Sequence, residues 1–178
     1  MNIFFSVSSH TEIEKEYFED ASFLAKELAS NNNDLIIGAA MKDGMPGRII
    51  KEFTDNNRKI DLYTLKIYNE NLDDFPNINF HYCNTTFERT KEIYKKSDIL
   101  LLMPGGTGTT AELFSFIEEM RTIKTAKKLI IYNKNNHYNE IIQFIKNIVE
   151  KKFNTEDIFD YINIIEEKEE ILSYIKRR

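Results

Sequence analysis

Residues 104–112, Pro-Gly-Gly-Thr-Gly-Thr-Thr-Ala-Glu, bring three glycines, three hydroxyls and a carboxylate into nine positions. Gly105, Gly106 and Gly108 let backbone N–H groups approach a ligand closely, and a helix starting here adds unpaired donors at the positive end of its dipole. The guest suited to such a cradle is a phosphate, held by the amides and hydroxyls of Gly105, Gly106, Thr107, Gly108 and Thr109. Glu112 follows Gly108 by four residues, about one helical turn. Helical side chains lean toward the N-terminus, so its carboxylate reaches back toward the ligand. The same residues allow a plainer reading, because Thr109 and Glu112 have the spacing of a capping box. The turn carries no Walker lysine and does not spell Gly-x-Gly-x-x-Gly, which sets aside a P-loop ATPase and the usual dinucleotide fingerprint.

The elements that must position these residues follow from hydrophobic periodicity. Residues 98–103 form an apolar run of buried-strand length after Asp98, and Leu113, Phe116, Ile117 and Met120 recur at helical spacing behind the turn. The cradle is therefore a strand-to-helix connection. Strands are expected at 2–7, 34–38, 59–66, 77–82, 128–132 and 162–165, with helices at 12–30, 48–54, 86–96, 137–149 and the C-terminus. An Asn/Asp-rich loop closes at Pro76. This alternation implies a Rossmann-like α/β fold, a single nucleotide-binding domain over 1–178 with a mostly parallel central sheet and helices on both faces. Ligands of such sheets bind beyond the carboxyl ends of the strands, where three loops are candidates: 6–11, 38–47 and 104–109.

Composition narrows the partner. The chain has 178 residues, with 42% hydrophobic and 12% aromatic content, as expected of a folded globule. Its net charge of −5 argues against a nucleic-acid binder that neutralises phosphates with Lys and Arg, but permits a small phosphorylated ligand on backbone amides. One cysteine, Cys83, excludes an internal disulfide and a multi-cysteine zinc site, and suits a reducing cytoplasm. No metal is implied. The first residues lack a secretory signal and no stretch approaches membrane-spanning length, so the expectation is a soluble cytoplasmic protein with no membrane partner. His10, His81 and His137 are not paired into a ligand set, and Cys83 beside His81 reads as a buried bystander.

The segment 104–112 resembles, at every fixed position, the Pro-Gly-Gly-x-Gly-Thr-x-x-Glu motif of the Lonely Guy family of nucleoside 5′-monophosphate phosphoribohydrolases. Arg89, nine residues before Asp98, resembles the family's arginine near the start of the preceding helix. Ser8-Ser9 is similar to its Gly-Ser-Ser turn, and the loop 44–47, Gly-Met-Pro-Gly, to its Gly-x-Met-Gly. The chain departs from the family at Thr90, where many members have lysine, at Val7 in place of glycine, and at Ala39-Ala40 in place of two glycines. The resemblance implies cleavage of the N-glycosidic bond of a nucleotide such as AMP or a cytokinin riboside monophosphate, giving free base and ribose 5-phosphate. Glu112 and Arg89 would then be catalytic. The phosphate would lie on the glycine turn with Ser8 or Ser9, Met45 would contact the substrate, no cofactor would be needed, and the protein would be a homodimer. A surface ion pair is the ordinary alternative for Arg89. Two other functions remain on the same residues: a nucleotide sensor or carrier that does no chemistry, and a lysine decarboxylase, a label relatives have carried. No lysine here is placed by motif for a pyridoxal Schiff base.

Overall fold

The structure, a computed structural model, describes residues 1–38, 41–68, 75, 77–124 and 127–177. Ala39-Ala40 and most of the Asn/Asp-rich loop, Pro76 included, lie outside the described residues. Seven strands are described: β1 (Asn2–Ser6), β2 (Asp34–Ile37), β3 (Ile60–Leu65), β4 (Ile78–Cys83), β5 (Ile99–Leu102), β6 (Lys128–Tyr132) and β7 (Ile162–Ile165). They form one sheet in the order β4-β3-β2-β1-β5-β6-β7. All six pairings are parallel, where the sequence had suggested mostly parallel. The helices are α1 (Lys15–Ser30), α2 (Gly44–Asp55), α3 (Thr86–Lys96), α4 (Thr107–Ile123), α5 (Asn139–Glu150) and α6 (Lys168–Lys176).

Strand side chains alternate between two cores. Ile3, Phe5, Leu35, Ile37, Ile99 and Leu101 face the layer of α1, α2 and α6, whereas Phe4, Ile36, Leu100, Leu102, Leu129 and Ile131 face α3, α4 and α5. In α1, Phe18, Ala21, Leu24, Ala25 and Leu28 repeat every three or four residues and are buried, which docks this helix by one stripe. Between α1, β6 and α6 the buried Asp20 accepts hydrogen bonds from the Tyr132 hydroxyl (2.6 Å) and from Lys168 Nζ (2.6 Å), so the burial of its charge is compensated.

Two local features aim residues at the carboxyl edge of the sheet. Helix α3 is capped by Thr85, whose hydroxyl accepts from the Glu88 amide (3.1 Å), while the Glu88 carboxylate accepts from the Asn84 amide (2.7 Å). This fixes Arg89 in the first turn, at the site end. Helix α2 starts four residues before the expected position and takes in Gly44-Met45-Pro46-Gly47. Pro46 is tolerated in a first turn because its absent N–H would have had no helical acceptor. Gly47 is required by a close approach: a Cβ there would sit 1.8 Å from the Lys42 carbonyl oxygen.

Candidate active site

The sheet order reverses direction between β1 and β5, and the site lies at the carboxyl ends of those two strands. After β5, Met103 and Pro104 are buried, and α4 begins at Thr107 with Gly106 as N-cap. Thr107, Gly108 and Thr109 therefore belong to the first helical turn. Thr109 is the third helical residue, so the capping box allowed by its spacing to Glu112 does not form. Among the described residues no side chain caps this end, and no acidic residue occupies its first turn. Gly106, Thr107 and Gly108 are exposed, leaving the positive end of the helix bare. A Cβ on Gly105 would meet Thr109 Oγ1 at 2.2 Å, whereas Cβ atoms on Gly106 and Gly108 would meet nothing within 4 Å.

The turn is supported from α5 by two residues to which sequence reasoning gave no role. Tyr138 is fully buried and its hydroxyl donates to the Met103 carbonyl (2.6 Å). His137 Nε2 lies 2.9 Å from the Gly105 carbonyl oxygen and 3.2 Å from its amide nitrogen. Neither carries a sequence signal, because the contact exists only once α5 packs beside the turn.

Glu112 stands on the second turn of α4, 8% exposed. Ser6 Oγ, at the end of β1, donates to its Oε2, and Arg89 Nη2 is 3.4 Å from its Oε1. Arg89 Nη1 also donates to the Gly38 carbonyl at the end of β2 (3.2 Å). Arg89 Nε is buried and has no partner among the described residues. Burial pushes the Glu112 carboxyl above the ordinary carboxylate range, against the opposing pull of the Ser6 hydrogen bond and the Arg89 charge. Asp98, which fixed the spacing to Arg89, lies at the other end of α3 and accepts from the Asn2 amide (2.7 Å).

Ser6, Arg89 and Glu112 line a cavity of about 450 Å³, bounded also by Phe4, Phe5, Val7, Ser9, Gly38, Met41, Tyr68, Gly108 and Thr109. Gly105, Gly106 and Thr107 precede Gly108 along the same turn. Ser8 is not in the lining, and its Oγ accepts from the His10 amide (3.2 Å) in a local turn. Met45, expected at the substrate, is instead fully buried in the core beneath α2, because the helix absorbs the loop that was to present it. Thr90 faces a separate groove with Phe87, Lys91 and Ser115, so the departure there lies off this cavity. Ser6 and Met41 fall within the loops 6–11 and 38–47 that the sequence marks as candidates, although neither was given a role of its own, and Tyr68 lies outside all three. Cys83 is buried, which pushes its thiol up, and His81 pairs with Asp61 (2.8 Å). Among the described residues no three His, Cys, Asp or Glu side chains gather as a metal would need, and no helix is long and apolar enough to cross a membrane.

Residues 38–175 match the family described as "Possible lysine decarboxylase". The chain belongs to that family. Its relatives include a rice protein (Oryza sativa subsp. japonica) named probable cytokinin riboside 5′-monophosphate phosphoribohydrolase LOGL3, 29% identical over 147 residues, covering 78% of this chain and 66% of the relative. A second rice protein of that name, LOGL2, is 27% identical over 84% of this chain and 61% of its own length. The Arabidopsis thaliana LOG3 is 27% identical over 78% of this chain and 65% of its length. The Lonely Guy resemblance is thereby borne out. The family member described here spans a little under two thirds of the length of these relatives. Among solved structures, the fold is similar to that of the molybdenum cofactor carrier protein of Chlamydomonas reinhardtii, with TM-score 0.73, 12% identity, and coverage of 99% of this chain and 96% of that one. It is also similar to DNA processing protein A of Helicobacter pylori, with TM-score 0.60, 12% identity, and coverage of 99% and 80%. At these identities the likeness is one of fold.

Proposed function

We propose that the protein hydrolyses the N-glycosidic bond of a nucleoside 5′-monophosphate, releasing free base and ribose 5-phosphate. The observation that carries this reading is the Glu112 carboxylate, buried between Ser6 and Arg89 in the wall of a cavity that the bare N-terminus of α4 also lines. Such a helix end suits a 5′-phosphate. Neighbouring strands lie about 4.8 Å apart, so the edge from β5 past β1 and β2 to β3 is about 14 Å long, enough for phosphate, ribose and base in a row. In that row the Glu112 carboxylate, held at the end of β1, stands one strand spacing from β5, next after the phosphate and so beside the ribose. The base reaches Met41 and Tyr68, both exposed.

As the bond from C1′ to the base nitrogen breaks, positive charge develops on the ribose; a fixed carboxylate stabilises that charge and orients the water that adds to C1′. The base leaves with its bonding electrons and takes up a proton. Arg89 holds Glu112 and the Gly38 carbonyl with two nitrogens, which keeps its positive charge at the carboxylate. No lysine is among the described lining residues, so the decarboxylase description of the family is not adopted as an activity. The setting this implies is cytoplasmic, with a mononucleotide rather than a nucleic acid as partner, and a homodimer as in the family.

Incubation with AMP and related monophosphates should release free base and ribose 5-phosphate in equal amounts, measured by chromatography. Nucleotide bound tightly and recovered intact would instead identify a carrier or sensor. Gly108→Ala separates cradle from fold. Its methyl meets no protein atom within 4 Å and the site is helical, so Tm should stay the same or rise, while AMP affinity in calorimetry should fall about tenfold or more through displaced phosphate hydrogen bonds.

A further inference from the structure

Two pairs of side chains join β1 to α4, and they share one register. Phe4 and Ser6 are alternate residues of β1 and therefore point to the same face, about 7 Å apart. Glu112 and Phe116 are one turn apart on α4, about 6 Å along its axis. The ring of Phe4 packs edge-to-face on Phe116, with centroids 5.7 Å apart and planes at 85°, and Ser6 donates to Glu112. The apolar pair thus places the helix so that hydroxyl and carboxylate meet. Ser6 is 2% exposed and Glu112 is the acceptor its hydroxyl is given, while Phe4 and Phe116 fix the approach from the core side.

We propose that Ser6 is a positioning residue of this site, its hydroxyl fixing the Glu112 carboxylate against the cavity by engaging one oxygen while Arg89 engages the other. The catalytic consequence rests on the hydrolase reading; the placement of the carboxylate does not. Among the described residues each oxygen has one partner, so loss of either frees the side chain to rotate about its last bond. The groups facing Glu112 are few among the described residues. Arg89 comes from α3, and Tyr138, at the start of α5, is held by the Met103 carbonyl; β1 brings the neutral Ser6 and β2 the Gly38 backbone. Burial favours the protonated acid, and the Ser6 hydrogen bond opposes it.

The test compares wild type, Ser6→Ala and Ser6→Thr by two readouts. The carboxyl titration of Glu112 is followed by isotope-edited infrared difference spectra against Glu112→Gln, and the pH dependence of kcat is followed with AMP. In Ser6→Ala the carboxyl should titrate about one pH unit or more higher, the value of a lost hydrogen bond to a charged group. The acidic limb of kcat should move with it, and kcat at neutral pH should fall about tenfold. Ser6→Thr, which keeps the hydroxyl, should restore both. Should Ser6→Ala not fold, Ser6→Cys, a weaker donor, should show the same shifts at smaller size. An unmoved titration in the folded variant overturns the proposal, as does a shifted titration with an unmoved limb. If wild type releases no base, the hydrolase reading fails alone, because the titration still decides the placement by Ser6.

Discussion

Glu112→Gln should lower the rate of base release from AMP on the order of 10³-fold while leaving AMP binding nearly unchanged, since the glutamine keeps the shape of the side chain and loses only the charge that meets the ribose cation in the proposed reaction. Single-turnover kinetics and calorimetry check the two halves. Thermal unfolding provides a third readout with the opposite sign. Burial raises the carboxyl's pKa in the folded chain above its unfolded value, so the folded state loses stability as pH rises through the interval between the two. Glutamine removes that loss, and the variant should unfold at a temperature equal to or above wild type at pH 8. A lower Tm with unchanged turnover would mean that Glu112 is a packing residue and that the chemistry lies elsewhere.

Arg89→Ala should cost about 10²-fold to 10³-fold in kcat/KM, and Arg89→Lys should recover little of it. The guanidinium spans the Gly38 carbonyl at 3.2 Å and the Glu112 carboxylate at 3.4 Å with separate nitrogens, which a point-charge ammonium cannot do. Loss of the cation also leaves the carboxylate buried without its counter-charge. The carboxyl then takes up a proton at higher pH, and the acidic limb of the rate profile moves upward. A lysine variant with full activity would reduce Arg89 to an ordinary ion pair.

Much of this site was legible before the fold was known, because its strongest signals are local. An apolar run followed by glycines and then helical periodicity can mean little other than strand, turn and helix, and β6, β7 and α3 have the bounds their patterns imply. The start of α2 was not legible: Gly-Met-Pro-Gly reads as loop by composition, yet Pro46 is harmless in a first turn and Gly47 is there for the Lys42 carbonyl. That shift carried Met45 from the expected pocket into the core. Ser6 escaped notice for another reason. A serine ending an apolar strand carries no pattern, and its meaning arises only when residue 112 packs over it.

The central pairing of β1 with β5, Ile3 against Ile99 through Ser6 against Leu102, bears on when the protein becomes competent during folding. These two strands are distant in the chain, with β2, β3, β4 and three helices between them, so their ladder closes a long loop whose entropy must be met before the contact rewards it. Local units such as α1 beside α2 can form earlier. Ser6 and Glu112 come together only across that last closure. Recovery of turnover during refolding should therefore lag recovery of helical circular dichroism.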